Sequence, residues 1–488
     1  MSHTHVDLAN LAAVLGALAC FPLLLGRNRM ILSGLGLLAA AEVGMAFALV
    51  PGRDLKLLVT SPTRAAALVG ALLVVLGIAF LFNRYPGVAP LLLLLAAPFR
   101  IGVSLGTQHA NLLLPLYAVL AAAAFALVWR LLRNGPVRPI DRSLAVPSAV
   151  LIFLYSLSLL WARDVHEGSI ELAAFLFPFL VLVAVVVHEP NRAWLPRALA
   201  IVLVGEAVVF AAFGLWEEGA RRIFFDRHLE VANVYTSFFR TNSLFYDPNI
   251  YGRHLALALS VLVVLIWQRR RLLALAAALI AFIWVALYFS YSQSSLVALF
   301  VVAVGITLVV GGRRTRRAIA ICTAVLAIAG VGIAAVGVQG HSLRHLTSGR
   351  SHLASITLDV FRDHPLIGVG VGSQPRAAQD KSSSLSSIKK DTSHTTPLTV
   401  AAELGIVGLA AYLAWLAGAC VTLRKAWKRN ATIGLSLAAV FGVLFVHSLS
   451  YSGFFEDPIT WGALALAASV VGMKDLDSPA PAPAQPTA

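Results

Sequence analysis

Cysteine is nearly absent from this chain of 488 residues, which contains only three. Cys20, Cys322 and Cys420 are far apart and each falls inside an apolar run, which excludes a disulfide framework and a Cys-x-x-Cys metal motif. We therefore expect three buried apolar side chains. No group of His, Cys, Asp and Glu has metal-ligand spacing either, so the sequence predicts no metal site and no cofactor.

Charged residues are also scarce: they make up 12% of the chain, whereas soluble proteins have about 25%. Hydrophobic residues make up 59%, and the mean hydropathy is +0.83. Apolar runs of about 17–25 residues recur along nearly the whole chain, and each is long enough to cross a bilayer as a helix. We predict an all-α fold, a polytopic integral membrane protein with about 12–15 transmembrane helices and a large extracytoplasmic loop.

The apolar runs predict fifteen helices, and the first is interpreted as a span because no basic segment of a signal peptide precedes it. The helices are expected at roughly 8–26, 30–50, 65–82, 88–106, 110–130, 143–161, 170–188, 196–216, 251–267, 272–290, 295–310, 317–337, 396–421, 431–450 and 457–472. Residues 1–472 then form a single polytopic transmembrane domain. The tail at 473–488, rich in Pro and Ala, is predicted to be a disordered cytoplasmic end.

The net charge of +15 is interpreted as a topology signal and not as a nucleic-acid footprint. Basic residues concentrate in short loops after the odd-numbered predicted helices, for example Arg27 and Arg29 after the first and Arg269–Arg271 after the ninth. Such loops are typically cytoplasmic. The longer segments at 217–250 and 338–395 are then extracytoplasmic, since long segments cross largely regardless of charge.

The first outer segment ends in a polar stretch, Arg240 to Arg253, that runs directly into the ninth predicted helix. Within it, Asp247-Pro248-Asn249 has the composition of a turn. Two interpretations are open: an ordinary helix entrance with anchoring side chains, or a site in which Arg240 and Arg253 face an anionic lipid head. Arginine suits the second, because a planar guanidinium binds two phosphate oxygens at once.

The second outer segment contains Arg350 and a predicted short helix that Pro365 ends. The apolar face of this helix is formed at helical spacing by Leu353, Ile356, Val360 and Phe361. A Gly-Val-Gly-Val-Gly run follows at 368–372. It is not a phosphate loop, since no strand precedes it and no Lys-Ser/Thr follows. We interpret it as a flexible turn.

A histidine stands at the mouth of the thirteenth predicted helix. His394 is followed by Thr395 and Thr396, either of which can cap that helix. The partial positive charge at a helix N-terminus disfavours imidazolium and attracts phosphate, so His394 is a candidate proton acceptor. The alternative is an ordinary surface histidine. Glu403 lies about two turns further in, where a carboxylate is costly unless it is paired or near water.

Four blocks in this order resemble the O-antigen ligase and O-antigen polymerase superfamily of bacterial membrane glycosyltransferases. The blocks are Arg240 through Asn249, Ser292-Gln293-Ser294-Ser295, Arg350 with Asp363–Gly370, and His394 with Gly405 and Gly408. The resemblance covers roughly residues 150–460. Two positions depart from the family's pattern: Thr395 replaces the usual Asn, Ser or Gln after the histidine, and Gln293 replaces a helix-borne arginine.

The resemblance implies a metal-independent glycosyltransferase of the bacterial plasma (inner) membrane, with its active site on the extracytoplasmic side. It would transfer or polymerise glycan from a polyprenyl-pyrophosphate-linked donor onto an acceptor hydroxyl, which His394 would activate while arginines hold the pyrophosphate. The expected substrate-binding residues are Arg240, Asp247, Asn249, Arg253, Gln293, Arg350 and Glu403. Expected partners are the glycan donor, a glycan or glycolipid acceptor and the lipid bilayer, with other envelope-assembly proteins as candidates and no nucleic acid.

Two other functions stay open on the sequence alone. One is a multispan transporter or flippase for a lipid-linked saccharide, although the inverted-repeat symmetry typical of many transporters is not seen. The other is a cell-wall glycan polymerase of the shape-and-division type, acting on a similar donor. These residues do not separate ligase from polymerase activity. Glu206 and His447 fall within predicted spans and either line the cavity or are paired.

Overall fold

The protein is described by a computed structural model whose regular structure is almost entirely helical. The described residues are 3–50, 52, 60–105, 108–135, 137–190, 192–224, 227–235, 238–318, 321, 350–382 and 392–472. Among them, 11 helices are long and apolar enough to cross a membrane, and two shorter apolar helices accompany them. The prediction of an all-α polytopic membrane protein is confirmed.

The described helices follow one another along the chain with mostly short connections. In order they are α1 (His3–Leu25), α2 (Asn28–Leu49), α3 (Pro62–Arg84), α4 (Val88–Ala96), α5 (Leu114–Leu132), α6 (Arg142–Ser158), α7 (Val165–His188), α8 (Leu195–Ala220), α9 (Arg227–Val234), α10 (Pro248–Gln268), α11 (Leu273–Phe289), α12 (Gln293–Val310), α13 (Arg350–Asp363), α14 (Gln374–Ser382), α15 (Thr396–Arg429), α16 (Ala431–Ser448) and α17 (Pro458–Val471). Most of the predicted helix at 317–337, and all of the tail at 473–488, lie outside the described residues.

The chain after α4 departs from the predicted helix at 88–106. Helix α4 ends at Ala96, and the strands β1 (Ile101–Leu105) and β2 (Gln108–Leu112) then form an antiparallel pair. The predicted helix is therefore wrong beyond Ala96. Pro98 accounts for the early end, because it has no N–H with which to extend the helical hydrogen bonding.

The interior of the bundle is built around α10, which packs against α8, α11, α12 and α16. Two glycines allow this close approach. A Cβ at Gly214 of α8 would lie 2.1 Å from the Tyr251 hydroxyl, and a Cβ at Gly252 of α10 would lie 2.8 Å from Cβ of Ser292. In lipid, small residues of this kind let helices pack by direct van der Waals contact.

Helix α15 defines the two ends of the bundle. It has 34 residues and packs against α6 and α16. Near its C-terminus, Nζ of Lys425 lies 2.8 and 3.0 Å from the carboxylate oxygens of Asp141, the residue before α6. Lys428 and Arg429 follow in the same last turn. His394 precedes the other end, so it lies opposite these basic residues.

The expectation for the cysteines is confirmed at one position and wrong at another. Cys20 is buried in α1, and its thiol donates to the Gly16 carbonyl at 3.3 Å. Cys420 is exposed on α15. A membrane helix has a lipid-facing side as well as a packed side, so the apolar run alone did not decide which one the residue occupies. Cys322 lies outside the described residues.

Candidate functional site

Most of the predicted site residues come together at the end of the bundle where α8, α11 and α16 end and α10, α12, α13 and α15 begin. His394 precedes α15, Arg350 lies at the start of α13, and Asp247 caps α10. The charges of Arg350 and Asp247 act on both His394 and Arg240. Groups that are far apart in the sequence therefore share one site.

The backbone around Arg240 is fixed from two sides. In α9, Nδ2 of Asn233 donates to the Arg240 carbonyl and Oδ1 accepts from the Arg240 N–H, both at 3.0 Å. Glu217, fully buried at the end of α8, accepts the N–H groups of Asn242 and Ser243 at 3.0 and 2.7 Å. A carboxylate that accepts backbone N–H groups makes strong, charge-assisted hydrogen bonds, so this irregular segment is held firmly. No local pattern in the sequence marks Glu217 for this role.

The Arg240 guanidinium is oriented by two contacts. Its Nε donates to the Ser290 carbonyl at 3.2 Å, and its Nη2 donates to Oδ1 of Asn249 at 3.4 Å. Burial lowers the pKa of Arg240 from its usual value, yet the group stays charged because that value is far above neutrality. A guanidinium has five N–H donors in a rigid planar arrangement. The two hydrogen bonds orient the group, and the remaining donors can bind phosphate oxygens.

Asp247 connects the start of α10 to the loop after α16. Its Oδ1 accepts the N–H of Asn249 at 2.6 Å, which caps α10, and its Oδ2 accepts the Tyr451 hydroxyl at 2.8 Å. Burial and the neighbouring Asp247 raise the pKa of Tyr451, so the hydroxyl stays protonated and donates. The Tyr451 ring stacks on His394, with centroids 6.2 Å apart and planes at 29°. Tyr451 could not be singled out from the sequence, because a tyrosine just past an apolar helix is ordinary at a membrane interface.

His394 is half-buried immediately before α15. Thr395 occupies the N-cap position but makes no side-chain cap bond; its hydroxyl lies 3.5 Å from the Leu449 carbonyl instead. Burial lowers the pKa of His394, Arg350 lowers it further, and Asp247 opposes the shift. Among the described residues, Nδ1 of His394 has no hydrogen-bond partner. The ring is therefore neutral at neutral pH, the state that a proton acceptor requires. Nδ1 itself is buried in this arrangement.

Arg253, predicted to contact a pyrophosphate, forms an ion pair within the protein. It is buried in α10, with Nη2 2.8 Å from Oδ2 of Asp457, the cap of α17. Its Nη1 donates to the Gly453 carbonyl at 3.3 Å. This buried ion pair joins α10 to α17, and the substrate contact predicted for Arg253 stays a prediction. The next residue, His254, has its Nε2 3.5 Å from Oε2 of Glu206 in α8, so Glu206 faces a histidine inside the bundle.

The segment after α13, predicted as a flexible turn, packs into a break in α15. Gly405 has φ 65° and ψ −161°, a backbone conformation that is open essentially only to glycine. The break leaves backbone carbonyl and N–H groups of α15 without their usual helical partners. The segment after α13 forms hydrogen bonds with both kinds of group. Val369 and Gly370 donate to the carbonyls of Ala402 and Glu403 at 3.0 and 2.9 Å, and Ile406 and Val407 donate to the carbonyls of Pro365 and Leu366 at 2.8 and 3.4 Å. The turn is thus an ordered part of the fold.

Glu403 lies behind this turn and not at the surface of the site. Its side chain is 2% exposed, and Oε1 accepts the N–H of Gln374 at 3.4 Å. The substrate contact predicted for Glu403 stays a prediction, and in this arrangement the side chain is buried. The buried carboxyl group of Glu403 contacts the start of α14 through this hydrogen bond.

The start of α12 contributes an uncharged side of the site. Gln293 is exposed at the first position of the helix. Next to it, Oγ of Ser294 lies 3.0 Å from Nε2 of His447. His447 is therefore paired within the bundle, and its ring also contacts that of Tyr451, with centroids 5.3 Å apart. Within the described part of the chain, no group of three or more His, Cys, Asp or Glu side chains could hold a metal ion.

The chain shares a segment with a known family. Residues 278–413 match the family model of the O-antigen ligases. The predicted resemblance is thereby confirmed, over a shorter stretch than the expected 150–460. The matched residues 278–413, called the O-antigen ligase segment below, contain Arg350 and His394, whereas Arg240 lies before them. No curated protein gives a significant match to the chain.

The O-antigen ligase segment supplies only part of the site. It contributes the helix mouth at His394 and the turn that packs into α15. Asp247 and Asn249 come from the chain before it, and Tyr451 comes from the chain after it. The cluster is completed where three separate stretches of the membrane bundle meet.

Proposed function

We propose that this protein is a membrane glycosyltransferase that transfers or polymerises glycan from a polyprenyl-pyrophosphate-linked donor onto an acceptor hydroxyl. The meeting of a neutral histidine with two arginines at one end of the bundle carries this proposal, together with the O-antigen ligase match. In it, His394 is the general base. Arg240 and Arg350 bind the pyrophosphate.

In the proposed reaction, His394 takes the proton from the acceptor hydroxyl as that oxygen attacks the anomeric carbon of the donor sugar. The new glycosidic bond forms while the bond from that carbon to the pyrophosphate oxygen breaks. The electron pair of the broken bond leaves on the polyprenyl pyrophosphate, and the imidazolium then loses its proton to solvent. Proton transfer by a positioned side chain typically contributes about 10²–10⁴-fold to the rate.

The arginines stabilise the negative charge that grows on the leaving group, because preorganised donors act most strongly where charge develops. Arg240 is oriented for this by its bonds to Ser290 and Asn249. The N-terminus of α15 adds a partial positive charge at the same place. We propose that these groups serve in place of a divalent metal. Gln293, exposed beside them, would contact an uncharged part of the donor.

The proposed site faces the outside of the bacterial plasma membrane. The opposite end of the bundle supports this orientation, because Lys425, Lys428 and Arg429 close α15 there. Arg269 and the two arginines after it follow α10 at that end as well. Short basic loops are typically cytoplasmic. The proposal keeps one transmembrane domain and a cytoplasmic C-terminal tail.

The test is transfer by the purified protein from a synthetic polyprenyl-pyrophosphate oligosaccharide to candidate glycan and glycolipid acceptors. A ladder of products would show a polymerase and a single added block would show a ligase, and both support the proposal. The matched control is the His394→Ala protein under the same conditions. Intact donor that appears in the opposite leaflet of proteoliposomes would instead show a flippase. A donor left unchanged with every acceptor, in a folded protein, would contradict the proposal.

A further inference from the structure

Gln374 is a buried residue at which three separate parts of the chain meet. It is the first residue of α14 and is 0% exposed. Its Oε1 accepts the N–H of Ser393 at 2.9 Å, and its Nε2 donates to Oγ1 of Thr357 at 3.1 Å. Its backbone N–H donates to Oε1 of Glu403 at 3.4 Å. One side chain therefore bridges the segment before α15 and the middle of α13.

Both side-chain partners of Gln374 lie close in sequence to proposed site residues. Ser393 immediately precedes His394. Thr357 lies seven positions after Arg350 in α13, which is nearly two full turns, so the two residues share one face of the helix about 10 Å apart. Because the helix between them is continuous, a shift of Thr357 moves Arg350 with it.

We propose that Gln374 is a positioning residue that sets His394 against Arg350. This inference rests on the proposed function, in which those two residues act on the acceptor and the donor of one reaction. The residue type fits the task, because a primary amide has an acceptor and a donor at the same end of one side chain. The Thr357 hydroxyl donates onward to the Leu353 carbonyl at 2.7 Å, so its oxygen is free to accept from the amide.

Loss of the hydrogen bonds through Gln374 would change the position of His394, which affects the reaction rate, and the pKa of His394. Misplacement of a reacting group by about 1 Å can cost about 100-fold in rate. The charged and titratable groups around His394 are Arg350 from α13, Asp247 from the start of α10 and Tyr451 from the loop after α16. Arg350 lowers the pKa of His394, so movement of α13 away from His394 raises that pKa.

The test compares four full-length variants in detergent. Gln374→Met removes both side-chain hydrogen bonds of Gln374, and Thr357→Val removes only the hydrogen bond to α13. Thr357→Ser keeps the hydroxyl. Ser355→Ala is the matched control, since that hydroxyl lies on the exposed side of the same helix and donates to the His352 carbonyl at 2.8 Å. Two quantities are measured: kcat for glycan transfer, and the pH midpoint of diethyl pyrocarbonate modification at the neutral imidazole of His394, resolved by mass spectrometry.

Gln374→Met and Thr357→Val should lower kcat about tenfold to 100-fold and move the His394 midpoint to higher pH. Thr357→Ser and Ser355→Ala should match the wild type in both quantities. A fall in melting temperature with an unmoved midpoint and an unchanged kcat per folded molecule would show a merely structural role and overturn the inference. The modification measurement needs no turnover. If the wild type transfers no glycan, the proposed function fails, whereas the midpoint still decides whether Gln374 governs His394.

Discussion

The Tyr451 hydroxyl donates a 2.8 Å hydrogen bond to Oδ2 of Asp247, and this bond joins the loop after α16 to the first turn of α10. The same tyrosine ring stacks on His394. The carboxylate that caps α10 and the proposed base are therefore held by one side chain between them. Neither the capping aspartate nor the histidine needs to contact the other directly to keep its place.

Removal of the Tyr451 hydroxyl should impair transfer without unfolding the protein. In Tyr451→Phe the ring remains against His394 but the bond to Asp247 is lost, so we expect kcat to fall about tenfold to 100-fold through misplacement of the base. Tyr246→Phe, at an exposed tyrosine next to Asp247, is the control and should be unchanged. Equal rates for the two variants in a transfer assay would show that the hydrogen bond has no part in positioning.

The pH dependence of transfer should show opposite effects of two charged neighbours. Transfer requires neutral His394, so the rate falls as the pH drops through its pKa. Burial and Arg350 lower that pKa, so the acid limb should lie below about pH 6.5, the ordinary value for histidine. Arg350→Gln should move the limb to higher pH. Asp247→Asn should move it to lower pH, because Asp247 raises the pKa.

These limbs are measured as kcat/KM against pH, which reports the pKa of the free enzyme. Each profile is normalised to its own plateau, so that weakened donor binding in either variant does not enter. Shifts of both variants in the same direction would mean that the titrating group is not His394.

Replacement of the proposed base should separate catalysis from binding. His394→Ala should lose about 10²–10⁴-fold in transfer, the usual contribution of a positioned proton acceptor. Binding of the lipid-linked donor, measured by the quenching of intrinsic fluorescence, should persist because the arginines remain. His352→Ala, at an exposed histidine of α13, is the matched control. Near-normal turnover of His394→Ala would remove the histidine from the mechanism.

Arg240 should carry donor binding through its fork geometry. Arg240→Ala should abolish detectable transfer, and Arg240→Lys should restore only part of it, because an ammonium cannot bridge two oxygens as a guanidinium does. Arg222→Ala, at an exposed arginine near the end of α8, should transfer normally.

The wild type should retain its activity in EDTA. Loss of activity in EDTA that Mg²⁺ or Mn²⁺ restores would refute the metal-free mechanism.

The break in α15 should tolerate no side chain. A Cβ at Gly405 would lie 2.2 Å from the Leu366 carbonyl oxygen, and its φ of 65° adds strain of order 1–3 kcal/mol for other residues. Gly405→Ala should therefore lower the melting temperature and the yield of folded protein in detergent. Gly205→Ala in α8 is the control, since nothing lies within 4 Å of its Cβ. A stable Gly405→Ala protein would show that the helix can close the break.

Much of the fold could be predicted because hydrophobic length is nearly sufficient for a membrane helix. The short helix α13 was also predicted, since its apolar spacing and Pro365 mark its face and its end. The hairpin after Ala96 could not be derived, because an apolar run does not distinguish helix from strand. Pro98 marked the place but not the alternative structure.

The residues of the proposed site could be named from the sequence, but their contacts could not. His394, Arg240 and Arg350 could be singled out by position and chemistry. Arg253 could not be distinguished from Arg240 in the sequence, since its partner Asp457 lies about 200 positions away. Such long-range pairs, like the bridge through Gln374, depend on how the helices pack and are not encoded in local spacing.

The break at Gly405 also constrains how the chain can be assembled in the membrane. The carbonyls of Ala402 and Glu403 accept N–H groups from the turn after α13, and unsatisfied backbone groups in lipid cost several kcal/mol each. Helix α15 is synthesised after that turn. The turn therefore has to be in place at that end of the bundle before α15 can settle as a span, so the packing of the last three helices depends on a segment made before them.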